Sequence, residues 1–235
     1  MNKLCVFLAL AVSLPAAGLG AAFSKPLFLY EADPFVSFSP AIGYASDYSR
    51  ALNREIRTGK HQGAALAFGY RYTSWSFELE VAYRTSEVNG HLYRGTDPHI
   101  GNLLSISEDA RGTIKDTSLM FNAHYVFPTR HIWRPYAGGG IGFSRVALRD
   151  FQRTEAFTNS EARSSDSDIA PAFQLMVGML FELAPETDLM IGYRYFGTGT
   201  INWDVHDYWD SSVDEDLKFS GTNVHLLEFG LRLNF

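Results

Sequence analysis

The chain has 235 residues, 46% of them hydrophobic and 14% aromatic, and carries a formal charge of −6. That length is ample for one all-β domain or two small ones. That charge argues against nucleic acid as a partner, since neutralising its phosphates needs a basic face and the sequence offers none. Beyond the start region lysine occurs only at Lys25, Lys60, Lys115 and Lys218, few for a surface wholly covered by water.

Residues 1–22 read as a signal peptide. Lys3 supplies the positive start, LCVFLALAVSL the apolar core and GLGAA the small residues a signal peptidase accepts. The apolar run is too short to cross a membrane as a helix, and Cys5 precedes it, where a lipoprotein cysteine would follow. Cleavage near Ala22 leaves 19 basic against 26 acidic residues, a mature charge of −7, and no cysteine. A chain without disulfides suits a closed, hydrogen-bonded barrel in a membrane. Residues 23–34 then form a short leader and 35–235 the barrel.

Eight segments alternate with period two, so each sends its apolar set to one side. In 35–48, Val36, Phe38, Ile42 and Tyr44 oppose Ser37, Ser39, Ala41 and Gly43. In 63–73, Leu66, Phe68, Tyr70 and Tyr72 oppose Ala65, Ala67, Gly69 and Arg71. In 75–85, Phe77, Leu79, Val81 and Tyr83 oppose Glu78, Glu80, Ala82 and Arg84. In 117–127, Leu119, Phe121, Ala123, Tyr125 and Phe127 oppose Met120, Asn122 and His124. The segment 134–144, RPYAGGGIGFS, is rich in glycine and leaves its register open. In 171–183, Phe173, Leu175, Val177, Met179 and Phe181 oppose Gln174, Gly178 and Glu182. In 188–196, Leu189, Ile191, Tyr193 and Tyr195 oppose Met190, Gly192 and Arg194. The last, HLLEFGLRLNF, sets Leu227, Phe229, Leu231, Leu233 and Phe235 against Glu228, Gly230, Arg232 and Asn234.

The connections alternate in length. Thr73-Ser74, 128–131 and 184–187 are tight, whereas 49–62, 89–113, 148–169 and 200–221 are long and polar. The pattern predicts an all-β fold: an eight-stranded antiparallel up-and-down transmembrane β-barrel with short periplasmic turns and long extracellular loops. A soluble barrel would instead carry lysine and mixed charge outside and large apolar residues inside. Here the polar face carries Gly43, Gly69, Gly178, Gly192 and Gly230, which suit a crowded lumen, and tyrosines near strand ends fit aromatic girdles.

RPYAGGGIGFS after a short turn, IGYRYF in the penultimate strand and the closing LEFGLRLNF resemble the eight-stranded outer-membrane barrels of Gram-negative bacteria. These form the opacity-protein and OmpA-like transmembrane group, which includes porin-family and surface-antigen proteins. The resemblance spans about 35–235 and implies residence in outer-membrane lipid and insertion by the outer-membrane assembly machinery. Phe229, Leu231, Leu233 and Phe235 would then serve as the assembly signal. No peptidoglycan-binding domain follows the barrel, so the anchoring role of longer relatives is not expected.

Arg71, Glu78, Glu80, Arg84, Arg194, Glu228 and Arg232 fall on the inward face and predict a lumen charge network, because charges held from water need partners. Such a network either plugs the barrel or gates a narrow ion path; inward Met120, Met176 and Met190 favour the plug. Catalysis is not expected: His124 faces inward and His225 outward, neither in a local pattern with serine. No cofactor is expected. The acidic stretch 202–219, with Asp204, Asp207, Asp210, Asp214, Glu215 and Asp216, could supply oxygen ligands to calcium, but lacks EF-hand spacing. It reads as a solvated acidic loop, beside which the first loop carries Arg50, Arg54, Arg57 and Lys60. Trp203, Tyr208 and Trp209 are loop contact candidates for a host or surface ligand, or pack on the rim. The expected role is a non-enzymatic surface antigen, structural protein or adhesin acting through its loops; the alternative is a small-solute or ion-conducting pore.

Overall fold

The computed structural model describes residues 33–45, 48–49, 54–96, 103–108, 110–154, 161–204, 216–219 and 221–235. The signal segment 1–22 and nearly all of the leader 23–34 lie outside them. Strands follow in chain order as β1 (Asp33–Ala45), β2 (Tyr48–Ser49), β3 (Arg54–Tyr72), β4 (Trp75–Thr96), β5 (Leu103–Glu108) and β6 (Ala110–Val126). They continue as β7 (Trp133–Thr154), β8 (Glu161–Ala184), β9 (Thr187–Thr198), β10 (Ile201–Asp204), β11 (Asp216–Phe219) and β12 (Asn223–Asn234).

Eight of these are barrel staves. β1 pairs with β3, and the antiparallel ladder runs on through β4, β6, β7, β8, β9 and β12, which pairs back onto β1. Closure leaves no edge among the staves, so each backbone group inside the wall finds a partner on a neighbour. The register fixes the geometry. Stepping across partners from Phe35 through Gly69, Glu78, Asn122, Gly140, Gln174, Phe196 and Val224 returns to β1 at Ala45, ten residues along. Eight strands with that stagger tilt by about 40° and enclose a backbone cylinder of about 8 Å radius.

The two faces separate as the alternation requires. Phe38, Leu66, Leu79, Phe121, Ile141, Leu175, Phe229 and Leu231 stand on the outer wall, each at least two-fifths exposed, while Ser37, Ala67, Glu80, Asn122, Gln174, Arg194 and Glu228 are buried inside. An outer wall this apolar is what lipid solvates and water does not. At the turn end Trp75, Tyr125 and Phe127 pack edge to face, with centroids 5.2 and 5.0 Å apart, in one aromatic rim. Towards the loop end Phe173, Tyr195 and His225 form another.

The open register of 134–144 resolves as Tyr136, Gly138, Gly140, Gly142 and Ser144 inward, opposite Val126, His124, Asn122, Met120 and Ser118. A side chain at Gly140 would strike Asn122, and one at Gly142 would lie 2.8 Å from the Met120 sulfur. The glycine column is therefore where the β6 side chains lie.

Two expectations need correction. The segments 49–62, 89–113, 148–169 and 200–221 are largely strand: β3 starts at Arg54, β4 runs to Thr96, β7 to Thr154, β8 begins at Glu161, and β10 pairs with β11. Strand pairing continues through these stretches without apolar alternation to announce it. β1 also starts at Asp33, two residues inside the expected leader. Replacing outward Leu79 in mid-wall by arginine is expected to cost about 2–4 kcal/mol in urea unfolding from phospholipid vesicles. An unchanged midpoint would mean that the wall faces water.

Candidate functional site

The lumen is filled by charged and amide side chains that the staves aim at its axis. At its centre Arg194 of β9 reaches across to Glu80 of β4, binding both carboxylate oxygens through its two terminal nitrogens, one contact at 2.8 Å. Its Nε lies 2.8 Å from Glu228 of β12, an ion pair in distance although the N–H is not aimed at the oxygen. Arg194 also donates to Gln174 Oε1 at 2.9 Å. The Gln174 amide donates to Asn122 at 2.6 Å, and the Asn122 amide to Glu78 at 2.9 Å and Glu80 at 3.2 Å. Two neutral amides thus join carboxylates that would otherwise repel, which is how buried charge is held in a low-dielectric interior.

Two further layers flank that centre. Towards the loop end Arg84 donates to Asp116 at 2.9 Å and Ser118 at 2.8 Å, Ser144 donates to the other Asp116 oxygen at 2.6 Å, and the Arg84 guanidinium lies 4.0 Å from the Phe196 ring centre. Towards the turn end Arg232 sits 4.1 Å from the Phe35 ring centre with Glu78 at 3.8 Å. Arginine over an aromatic face gains a cation–π attraction that grows when water is excluded. Below it Arg134 bonds Asp188 at 2.5 Å, which also accepts from Asn234 at 3.2 Å.

Of the residues singled out from the sequence, Glu78, Glu80, Arg84, Arg194, Glu228 and Arg232 are all at most 5% exposed and meet in these layers. Arg71 does not. It occupies the last inward position of β3 before the Thr73-Ser74 turn, its side chain is 24% exposed, and it pairs with exposed Asp33 at 3.3 Å. Being at the rim, it needs no buried partner.

Met120, Met176 and Met190 do point inward and are buried. The network leaves a cavity of about 10 Å³ beside Glu80, Arg194, Glu228 and His124, room for the centre of about one water. His124 approaches the Met176 sulfur at 3.4 Å and stacks edge to face on Tyr136 at 5.5 Å. Ser76 stands opposite His124 in register, yet neither its hydroxyl nor His124 Nδ1 has a hydrogen-bond partner among the described residues. His225 faces outward and contacts the Tyr193 hydroxyl at 2.6 Å.

Asp116, Gln174, Asn122, Asp188, Tyr136 and Phe196 complete the site and had not been singled out. Extending the period-two series Ser118, Met120, Asn122 back by two residues would have reached Asp116. The amides carry no charge to draw notice. Phe229, Leu231, Leu233 and Phe235 lie on the outer wall, 44–54% exposed. Trp203 falls in β10 with its side chain outside the described residues; Tyr208, Trp209 and the acids of 205–215 lie outside altogether.

A family profile described as "Outer membrane protein beta-barrel domain" matches residues 7–235. An uncharacterized protein of Brucella abortus (strain 2308) is 24% identical over 190 residues, 71% of this chain and 66% of that protein; one from Brucella suis biovar 1 (strain 1330) matches to the same extent. The chain thus spans just under two thirds of the length of these relatives. Among solved structures, Neisserial surface protein A superposes with TM-score 0.51 at 17% identity, over 86% of this chain and 97% of that one. OprG from Pseudomonas aeruginosa gives 0.50 at 15%, over 87% and 96%. A major outer membrane protein from Thermus thermophilus gives 0.50 at 13%, over 86% and 99%. At such identities the likeness is one of fold.

Replacing Arg194 by methionine strands Glu80 and Glu228 without their shared cation and is expected to cost about 3–5 kcal/mol, read from urea unfolding in vesicles. Adding Glu80→Gln should restore part of that loss. A cost below about 1 kcal/mol would mean that the carboxylates are hydrated in the folded barrel.

Proposed function

Because this chain belongs to the outer membrane protein β-barrel family, we propose that it is a non-enzymatic scaffold of the outer membrane with a closed lumen, acting through its loop end as a surface antigen or adhesin. The carrying observation is Arg194 held across the barrel axis between Glu80 and Glu228. With Gln174 and Asn122 bonded into the same cluster, moving any one side chain aside breaks several contacts at once. A barrel of eight strands is just wide enough to be filled in this way.

What remains for interaction is the part above the wall. Strands β4, β7 and β8 continue far beyond the apolar belt and β10 pairs with β11, so the loop end is built on hairpins. Rigid hairpins present side chains at lower entropic cost than free loops do. Trp203, Tyr208 and Trp209 are the aromatic anchors to test against a host or surface ligand, and the assembly machinery is the partner suited to the closing strand with Phe229, Leu231, Leu233 and Phe235. The basic first connection, with Arg50, Arg54, Arg57 and Lys60, emerges beside the acidic last one because β1 and β12 are neighbours. Opposite charge would favour contact between them.

A small-solute or ion-conducting pore is the second reading. The cavity beside Arg194 favours it, since charges of both signs line that space.

Single-channel recording of the refolded chain in a planar bilayer decides between them. A folded barrel, verified by heat-modifiable migration, is expected to be electrically silent; steady openings would overturn the closed-lumen reading. In the same preparation, reversing Arg50, Arg54, Arg57 and Lys60 to glutamate should speed protease cleavage within 205–215. Unchanged cleavage would mean that the two connections do not hold each other.

A further inference from the structure

The outer wall over β6, β7 and β8 changes character at one level. Towards the turn end it is apolar: Leu119, Phe121, Ile141, Phe143 and Ile169 are all at least half exposed. Directly above stand Lys115, Arg145 and Arg149, outward in register and exposed. Tyr83, 48% exposed, pairs with Thr117 and Thr117 with Arg145, so the change falls at an aromatic boundary position.

The register groups the three cations around one small residue. Lys115 lies opposite Ala147, and Arg145 and Arg149 flank Ala147 two residues either side on its own strand. Lys115 is therefore the diagonal neighbour of both arginines, about 7–8 Å away. Ser167 of β8 closes the fourth side opposite Ala147, its hydroxyl oxygen accepting from Arg145 at 3.1 and 3.4 Å. Ala147 faces outward yet is only 7% exposed, so the longer side chains stand over it. Its methyl floors a shallow seat rimmed by three positive groups and a hydroxyl.

Neither Lys115 nor Arg149 has an ion-pair partner among the described residues, and Arg145 bonds only the neutral serine. Glu87, exposed on β4, pairs in register with Thr113, and Asp150 follows Arg149 along the chain. Elsewhere the boundary is aromatic, with Tyr44 on β1 and the Tyr193, Tyr195 and His225 cluster on β9 and β12. In a chain of net charge −6, three cations converging on one alanine, with Glu87 the one acid diagonal to Lys115 among the described residues, make a local exception.

The geometry points to a binding seat for a phosphorylated lipid of the outer leaflet, its phosphate over Ala147 between Lys115, Arg145 and Arg149 and its acyl chains on Phe143, Ile141 and Leu119. Guanidinium and ammonium groups are the side chains that hold phosphate oxygens, and they hold them more strongly where the dielectric falls. A soluble polyanion would use the cations alone. Their continuity with the apolar wall selects an amphiphile with both parts at this spacing. The seat is on the outside of the barrel, so it stands or falls apart from whether the lumen conducts.

The test is native mass spectrometry of the folded full chain released from neutral detergent, titrated with lipid A, with dephosphorylated lipid A and with inorganic phosphate. Retention of lipid A is expected, at least about tenfold weaker without its phosphates and not displaced by inorganic phosphate. The Lys115→Gln, Arg145→Gln, Arg149→Gln triple variant should lose binding at least about tenfold, while Lys115→Arg, Arg145→Lys, Arg149→Lys should keep it. Heat-modifiable migration shows that each variant is folded; if the glutamine triple does not fold, Arg149→Gln alone, weakened in the same direction, serves. Equal binding by the glutamine variants or by dephosphorylated lipid A would overturn the seat. Displacement by inorganic phosphate would overturn its assignment to a lipid.

Discussion

Everything in this protein follows from the requirement that no backbone amide or carbonyl be left unpaired where lipid replaces water. A sheet meets it only by closing on itself, and β12 does so by pairing with β1 from Phe35 opposite Asn234 to Ala45 opposite Val224. Once eight strands close with a stagger of ten residues, the radius is set, and with it the space inside. That space is too narrow for bulk water and too wide to be left empty. The inward residues are the solution to a filling problem posed by the wall.

The filling is uneven around the ring. On β7 three successive inward positions, Gly138, Gly140 and Gly142, are glycine, and the side chains of His124, Asn122 and Met120 on β6 occupy the room this gives. Tyr136 in turn lies against Gly178 and Gly192 of β8 and β9. Large residues face missing ones, so a few long polar side chains reach the axis without clashing. Charge then has to be matched at the axis, and the amides of Gln174 and Asn122 let Glu78 and Glu80 lie close to one another.

The barrel was legible in the sequence because lipid leaves a one-sided mark: Leu227, Phe229, Leu231, Leu233 and Phe235 could all point one way only if that way were apolar. The same reasoning placed Glu78, Glu80 and Arg194 inside. It could not say which charge meets which, since partners depend on the stagger and the stagger is a property of the closed ring. Arg194 meets Glu80 and Glu228, whereas Arg71, given the same inward face, ends at the rim with Asp33. The strand extensions were illegible for a related reason. Above the wall apolar alternation stops while strand pairing goes on, and residues such as Arg149 or Thr154 carry no periodic signature of being in a ladder.

Glu80 and Arg194 are 114 residues apart in the chain, Glu80 and Gln174 94, and Glu78 and Asn122 44. The carboxylates of β4, with only Arg84 on their own strand, therefore depend on amides and cations from far along the chain. An open, half-built sheet must keep that face wet, and only the arrival of β9 and β12 permits the water to leave. Dehydration of the interior and closure of the wall are thus coupled, because Arg194 and Arg232 meet the β4 carboxylates only when β9 and β12 complete the ring.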